Sequence, residues 1–155
     1  MFRRACLAGA AAWTAVIPLA AFAATRPDGS SAVYAFAIGV YAFGRVICHQ
    51  LPIRSFHLWG AALPVCARCT GIYFGAAVTA LIVSVRPPAT ATPTAADARR
   101  LLVVATIPTA LTLVYEWTTG VMPANWIRAI AGFPIGAAAA WLIAVSTVER
   151  RASEP

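Results

Sequence analysis

The sequence of residues 48–75 is CHQLPIRSFHLWGAALPVCARCTGIYFG, and the rest of the chain is organised around this stretch. The stretch contains three of the four cysteines, both histidines and a Cys-x-x-Cys pair, inside a chain that is otherwise rich in alanine and apolar residues. Pro52 and Pro64 prevent one continuous helix, because proline lacks the amide donor and clashes with the preceding turn. We therefore expect a structured cysteine loop over 48–69, with a helix beginning near its Cys-x-x-Cys end.

The composition around this loop is that of a membrane protein. Of the 155 residues, 61% are hydrophobic and only 11% are charged, whereas soluble domains carry about a quarter charged residues. A soluble particle of this size cannot hide so much apolar surface from water. The sequence therefore predicts an all-α, polytopic helical membrane protein. Its main partner is the lipid bilayer, and its location is the cell membrane (inner or plasma), which it crosses several times.

The charge pattern excludes one class of partner. The net charge is +7, and every basic residue is an arginine. These arginines stand singly or in pairs between apolar runs, which is typical of loops beside membrane spans and not of a phosphate-binding patch. We predict no nucleic-acid partner. The sequence also lacks a phosphate-binding glycine loop, a nucleophilic serine elbow, a paired-carboxylate site and a haem motif, so it indicates no familiar enzyme class.

Apolar runs predict about five transmembrane helices. Their expected bounds are 6–24, 32–47, 70–85, 101–117 and 126–148. The first run follows Arg3-Arg4 and ends in a small-x-small pattern, so it is either an uncleaved signal-anchor or a cleaved signal peptide. We expect the uncleaved span. The Pro/Ala/Thr-rich segment 86–100 is expected to be an exposed linker.

Three regions follow from this pattern: an N-terminal span and turn over 1–31, a membrane domain over 32–148 that contains the cysteine loop, and a flexible tail over 149–155. Five alternating spans would put the N-terminus, the cysteine loop and the turn at 118–125 on one side of the bilayer. That topology brings Glu116, Asn125 and Arg128 to the cysteine side. The arginines divide equally between the two sides, so the positive-inside rule ties. The basic start at Arg3-Arg4 then favours a cytoplasmic cysteine loop, since the first helix usually dominates.

Helical geometry sorts the third predicted span into two faces. At about 100° per residue, Cys66, Cys69 and Tyr73 share one face, and Gly71 and Gly75 lie nearly opposite. The glycine face permits a close helix contact, either within the chain or with a second copy.

The fifth predicted span carries a similar stripe. Asn125, Arg128, Gly132 and Gly136 lie on one side of this helix. We expect helix–helix oligomers through Gly71/Gly75 or Gly132/Gly136. Glu116 is the one acid at the edge of these spans, and a charge pair with Arg128 or Arg45 would lower the cost of placing it there.

A dense set of residues resembles one prokaryotic membrane family. The set is Cys48-His49-Gln50, Pro52, Arg54-Ser55-Phe56, Gly60, Pro64-Val65-Cys66, Arg68-Cys69, Gly71, Tyr73 and Gly75. It resembles the signature of the bacterial and archaeal family catalogued as domain of unknown function 2085. The acid, amide, arginine and glycines at 116–136 are similar to the family's second block, although members commonly carry Asp and a longer spacer there. The resemblance covers 45–136 and implies a multi-spanning membrane protein, without an activity.

The first interpretation of the cysteine loop is a metal site. Thiolate and imidazole ligands suit zinc, and Cys-x-x-Cys is a common half-site. Cys66 and Cys69 would supply one half, and Cys48 with either His49 or His57 would supply the other. We take His49, which matches the family pattern, so the expected zinc ligands are Cys48, His49, Cys66 and Cys69.

Two other interpretations stay open. Arg68 between two thiols at a helix N-terminus should lower a thiol pKa, as in a membrane thiol–disulfide redox protein that uses a quinone. The cysteines could instead serve a structural or transport component without metal. The further site candidates are Gln50, Arg54, His57, Arg68, Tyr73, Glu116, Asn125 and Arg128.

Overall fold

The computed structural model describes residues 2–86 and 93–152, with side chains over 5–86 and 93–146. It contains five α-helices: α1 (Phe2–Ala24), α2 (Ser31–Ile47), α3 (Ala67–Val85), α4 (Ala95–Thr119) and α5 (Asn125–Ala152). Between α2 and α3 lie a single 3-10 turn (Pro52–Arg54) and two short antiparallel strands, β1 (His57–Leu58) and β2 (Ala61–Ala62). The all-α prediction is confirmed.

Four of these helices, α1, α3, α4 and α5, are long and apolar enough to cross a bilayer. The 17-residue α2 is apolar but shorter than a typical span. Large apolar side chains on the outer surface remain uncovered: Leu81, Leu111 and Ile130 are each more than 60% exposed. Large apolar side chains exposed in this way suit contact with acyl chains better than contact with water. The chain is a polytopic helical membrane protein in a lipid bilayer.

α3 and α5 form the central helix pair. Gly71 of α3 lies against the backbone of Ala129, and Gly75 lies one turn further along against Phe133. A Cβ atom at either glycine would overlap the carbonyl oxygen opposite. Because later residues of α3 meet later residues of α5, the two helices run parallel. This pairing confirms the predicted glycine face of the third span.

The glycines of α5 complete the same contact. Gly132 lies against the backbone of Arg68, and Gly136 lies against that of Ile72. The two glycine faces therefore pack on each other within one chain. The close contact that these glycines permit is thus made between α3 and α5 of the same chain, and the oligomer stays a prediction.

α1 runs antiparallel to α3. Near its start, Leu7 packs in one apolar cluster with Ala80 in the second half of α3. Near its end, Ala21 packs with Val65 and Cys48 of the cysteine loop. The start of α1 therefore lies on the side opposite the cysteines, and the predicted placement of the N-terminus on the cysteine side is wrong. The reason is α2, which follows the end of α1 and itself ends at Cys48, so it starts and finishes on the cysteine side.

The linker before α4 is shorter than expected. The side chain of Thr94 caps the helix by accepting from the backbone N–H of Asp97 at 3.2 Å, and the Asp97 carboxylate suits the positive end of the helix dipole. α4 therefore begins at Ala95, and the linker prediction is wrong for 95–100. Residues 87–92 lie outside the described part of the chain.

The other end of α4 positions the site. Gly120 ends the helix in the left-handed conformation, with φ of 67°, and its N–H donates to the carbonyl oxygen of Glu116 at 3.0 Å. Glu116 consequently lies in the last turn, on the cysteine side. At the chain's end, α5 continues to Ala152, beyond the predicted start of the tail, and 153–155 lie outside the described residues.

Candidate thiol and arginine site

Three of the predicted ligands meet at the start of α3. The Sγ atoms of Cys48, Cys66 and Cys69 all lie within 4.8 Å of one another. Cys48 is the residue that ends α2, Cys66 is the N-cap of α3, and Cys69 lies in the first turn of α3. Cys6, on α1, is free and stands outside this group.

The hydrogen bonds of the group favour a thiolate at Cys66. The thiol of Cys69 donates to Cys66 and lowers the pKa of Cys66 to about 5, against the opposing effect of burial. The backbone N–H of Cys66 donates in turn to the Sγ of Cys48 at 3.2 Å. A thiolate is the form of cysteine that binds a metal ion or acts as a nucleophile.

Gln50 holds the loop in this shape. Its backbone adopts the left-handed conformation, with φ of 47°, which is unusual for a residue other than glycine. Its side-chain Nε2 donates to the carbonyl oxygens of Tyr41 at 2.7 Å and Pro64 at 2.6 Å. One amide thus ties the last turns of α2 to the segment just before Cys66. Gln50 is a structural residue of the site.

Gly44 is a site residue that the sequence analysis missed. It lies in the last turn of α2, in contact with the backbone of Pro64. A Cβ atom at Gly44 would overlap the Pro64 carbonyl oxygen. Tyr41, one turn earlier, donates from its hydroxyl to the carbonyl oxygen of Ala62 at 2.5 Å. A glycine in an apolar helix just before a polar loop is a signal for such a close approach.

Cys66, Cys69 and Tyr73 share one face of α3, as the helical geometry predicts, and this face packs against α1. Ile17 of α1 packs in the cluster that contains Cys48 and borders on Cys69. Tyr73, one turn after Cys69, lies edge-to-face with Trp13, with 6.1 Å between ring centroids. The thiols are therefore covered by apolar and aromatic side chains on the α1 side.

Neither histidine joins the thiols. His49 and His57 are both exposed, and neither belongs to the group of mutually close ligand atoms around Cys48. His57 lies on β1, which pairs with β2, and both residues of β1 are exposed. The structure thus assembles the three cysteines of the predicted ligand set, and His49 remains a prediction.

A second polar cluster lies beside the thiols, centred on Glu116. Its carboxylate is 8% exposed and contacts three guanidinium groups. The Nη2 atoms lie 2.6 Å away for Arg54, 3.3 Å for Arg128 and 3.9 Å for Arg68. The predicted pair with Arg128 is confirmed. Arg45, the alternative partner, is exposed on α2 and is not among these contacts.

Four different elements supply this cluster. Arg54 ends the 3-10 turn, Arg68 lies in the first turn of α3, Arg128 lies in the first turn of α5 and Glu116 lies in the last turn of α4. Sequence reasoning missed Arg54 and Arg68 as partners of Glu116. The signal that could have found them is the shortage of acids, since several arginines on one side had only one carboxylate to share.

Asn125 closes the site from the α5 side. Its Nδ2 donates to the carbonyl oxygen of Ser55 at 3.0 Å, and Ser55 is fully buried. This bond joins the start of α5 to the residue after Arg54. The predicted convergence of Asn125, Arg128 and Glu116 with the cysteine loop is present in the fold.

Comparison with known proteins gives the family. Residues 48–142, more than half of the chain, match the family model described as "Predicted membrane protein (DUF2085)". A stretch of 45 residues is 51% identical to an uncharacterised protein of Methanocaldococcus jannaschii and covers 29% of each chain.

A second relative comes from Methanothermobacter thermautotrophicus. It is an uncharacterised protein, 59% identical over 32 residues, which are 21% of this chain and 29% of that protein. The chain thus spans less than a third of the length of these two relatives. No solved structure matches. The family match covers the cysteine loop and the arginine cluster together, and the chain belongs to the membrane protein family DUF2085.

Proposed function

We propose that the protein is a zinc-binding membrane protein whose ion holds the cysteine loop at one face of the bilayer. The Sγ atoms of Cys48, Cys66 and Cys69 lie within 4.8 Å of one another, and this proximity supports the proposal. Tetrahedral zinc with Zn–S bonds of about 2.3 Å requires sulfur atoms roughly 3.8 Å apart. A small contraction of the group meets that requirement, and thiolate ligands select zinc over hard cations.

His49 supplies the fourth ligand in this proposal. Its imidazole is exposed and directly follows Cys48 in the chain, so it can reorient without breaking buried contacts. Four protein ligands make a closed site, which is the arrangement of structural zinc. An ion with this role would anchor a long segment that contains only a 3-10 turn and two two-residue strands.

The reversed direction of α1 changes the expected orientation. Arg3 and Arg4 lie at the start of α1, on the side opposite the cysteines, together with Arg86, Arg99 and Arg100. The positive-inside rule then favours that side as cytoplasmic. We therefore propose an outward-facing cysteine loop. The cytoplasmic prediction depended on Arg3-Arg4 lying beside the cysteines, and that basis is gone.

An outward orientation favours a second candidate function, thiol–disulfide redox chemistry, because disulfides persist in oxidising compartments. Two thiols of the group would join in a disulfide and release two protons and two electrons. A membrane quinone would accept both and become a quinol. The close approach of the three Sγ atoms is compatible with this chemistry as well.

Metal analysis of detergent-purified protein separates the two functions. We expect about one zinc per chain in the unaltered protein and in Cys6→Ser, since Cys6 lies outside the thiol group. Cys69→Ser should lose the zinc. Metal-free protein with three alkylatable thiols at 48, 66 and 69 would overturn the zinc proposal. A native disulfide within the group, in place of metal, would support the redox function.

A further inference from the structure

The charges around Glu116 do not balance. Three arginines surround one carboxylate, and apart from Asp97 at the far end of α4, Glu116 is the only acid between residues 29 and 148. The side chain of Arg128 is 2% exposed and that of Arg68 is 15% exposed. Uncompensated cations so far from water are costly, and proteins keep them where an anion binds. Even with Cys66 as a thiolate, the cluster keeps a net positive charge.

The arginines also have unused hydrogen-bond donors. The Nε atoms of Arg54, Arg68 and Arg128 are each buried, and none has a hydrogen-bond partner within the described residues. Each guanidinium offers five donors in a planar fork, far more than one carboxylate can accept. Because Arg128 is almost completely buried, its free donor has no route to bulk water and needs an acceptor inside the cluster.

An apolar groove leads to these cations. It has a volume of about 470 Å³ and lies between α4 and the turn before α5. Leu111, Tyr115 and Ile127 line it and are exposed at the outer surface. Since these helices cross the bilayer, the groove opens towards acyl chains.

Two residues that line the groove contact arginines of the cluster. Thr112, which lines it, accepts from Arg68 Nη2 at 3.2 Å. Met122, at its other wall, lies with its sulfur 3.6 Å from Arg128 Nη1. An apolar channel that ends at excess positive charge matches an amphiphile with an anionic head.

We propose that this groove and the three arginines bind an anionic phospholipid. One acyl chain lies in the groove, and the phosphate pairs with the excess positive charge of Arg54, Arg68 and Arg128. The planar guanidinium fork matches phosphate oxygens. A zwitterionic headgroup fits less well, because its ammonium group would meet the same positive charge. Arg54 is 38% exposed and forms the entrance for the headgroup. None of the proposed headgroup contacts is a proposed zinc ligand.

To test this proposal, lipids are titrated into delipidated, detergent-purified protein, and the amount of bound lipid is measured by native mass spectrometry. Phosphatidylglycerol should bind at least tenfold more tightly than phosphatidylcholine. Arg54→Gln should remove that preference, and the matched change Arg45→Gln, at an exposed arginine outside the cluster, should keep it. Equal binding of both lipids, or equal loss in both variants, would overturn the proposal.

Two further experiments test which part of the lipid binds where and whether a soluble anion binds instead. Leu111→Trp, which fills the groove from its exposed edge, should weaken phosphatidylglycerol binding tenfold, and unchanged binding would overturn the place of the acyl chain. Inorganic phosphate should displace the lipid only at far higher concentration; displacement at equal concentration would assign the arginines to a soluble anion. Zinc is measured in the same samples: Arg54→Gln should lose the lipid preference and keep its zinc, because Arg54 is not a proposed zinc ligand, so failure of either function is seen separately.

Discussion

The Nη2 atom of Arg54 lies 2.6 Å from the Oε1 atom of Glu116, and this ion pair ties the cysteine loop to the end of α4. Arg54 is partly exposed, so solvent screens the pair and its own contribution to stability is small. The same carboxylate also neutralises the buried Arg128, where no solvent helps. Glu116 therefore matters more for the charges it compensates than for any single bond.

Removal of Glu116 should be strongly destabilising. Glu116→Ala leaves the buried Arg128 and Arg68 without a counter-charge, and breaking a buried pair from one side costs about 3–5 kcal/mol. We expect a clear fall in the thermal midpoint of the protein in detergent. The control is Asp97→Asn, which changes an exposed acid at the other end of α4 and should cost less than about 1 kcal/mol. Similar losses in both variants would contradict the central role of Glu116.

Alanine at the central glycines should separate α3 from α5. A methyl group at Gly71 or Gly136 would overlap a backbone carbonyl of the facing helix, and overpacking costs about 1–3 kcal/mol or more. Thermal unfolding in detergent measures the loss. Gly39→Ala is the matched control, because a Cβ atom at Gly39 meets nothing within 4 Å and alanine favours a helix. Gly39→Ala should be neutral or stabilising.

Loss of the Gln50 side chain should loosen the thiol group. Gln50→Ala removes both bonds that tie Tyr41 to Pro64, while the backbone stays in its left-handed turn. We expect a loss of about 1–3 kcal/mol, since two part-buried carbonyl groups lose their donor. Zinc affinity should fall about tenfold, as it does when supporting contacts around a site are lost. Zinc competition with a chromogenic chelator measures it, and His57→Ala, at an exposed strand residue, should leave the affinity unchanged.

The thiol of Cys66 should react in acid. Its pKa of about 5 means that the thiolate persists down to that pH in the folded, chelator-treated protein, whereas an unfolded cysteine loses its thiolate below about 8.5. The stabilisation from the thiolate is therefore complete above about 8.5 and disappears as the pH falls through 5. Iodoacetamide should alkylate Cys66 much faster at pH 6 in the folded protein than in dodecyl sulfate. Equal rates in the two states would contradict the lowered pKa.

Labelling from outside the cell tests the orientation. With an outward cysteine loop, His57→Cys on the exposed strand β1 should react with a membrane-impermeant maleimide in intact cells. Ala96→Cys, exposed at the start of α4 on the other side, should react only after permeabilisation. The unaltered chain sets the background from its four native cysteines. The opposite pattern would restore the cytoplasmic orientation.

Local geometry explains what could be predicted. Cys66, Cys69 and Tyr73 share one face of α3 and Gly71 and Gly75 share the opposite one, because residue spacing along a helix determines which side chains lie together. The packing of these faces on α1 and α5 is seen only in the structure. The start of α3 at the Cys-x-x-Cys pair follows from Pro64 and from the apolar run behind it. The bilayer environment follows from composition, since so many apolar residues cannot be hidden in water.

The direction of α1 and the partners of Glu116 depend on contacts between segments that are distant in the chain. The direction of α1 depends on whether the 17-residue α2 crosses the bilayer, and only the packing of Cys48 against Ala21 answers that. Likewise, Glu116 had several arginines within reach along the chain, and the fold selected Arg54 and Arg68 in addition to Arg128. Composition indicated the membrane setting, and the spacing of residues along the chain indicated the helices, apart from the start of α4, and the residues that share a helix face. The tertiary structure decided the side on which each end lies and the partner of each charge, because these depend on how whole helices pack.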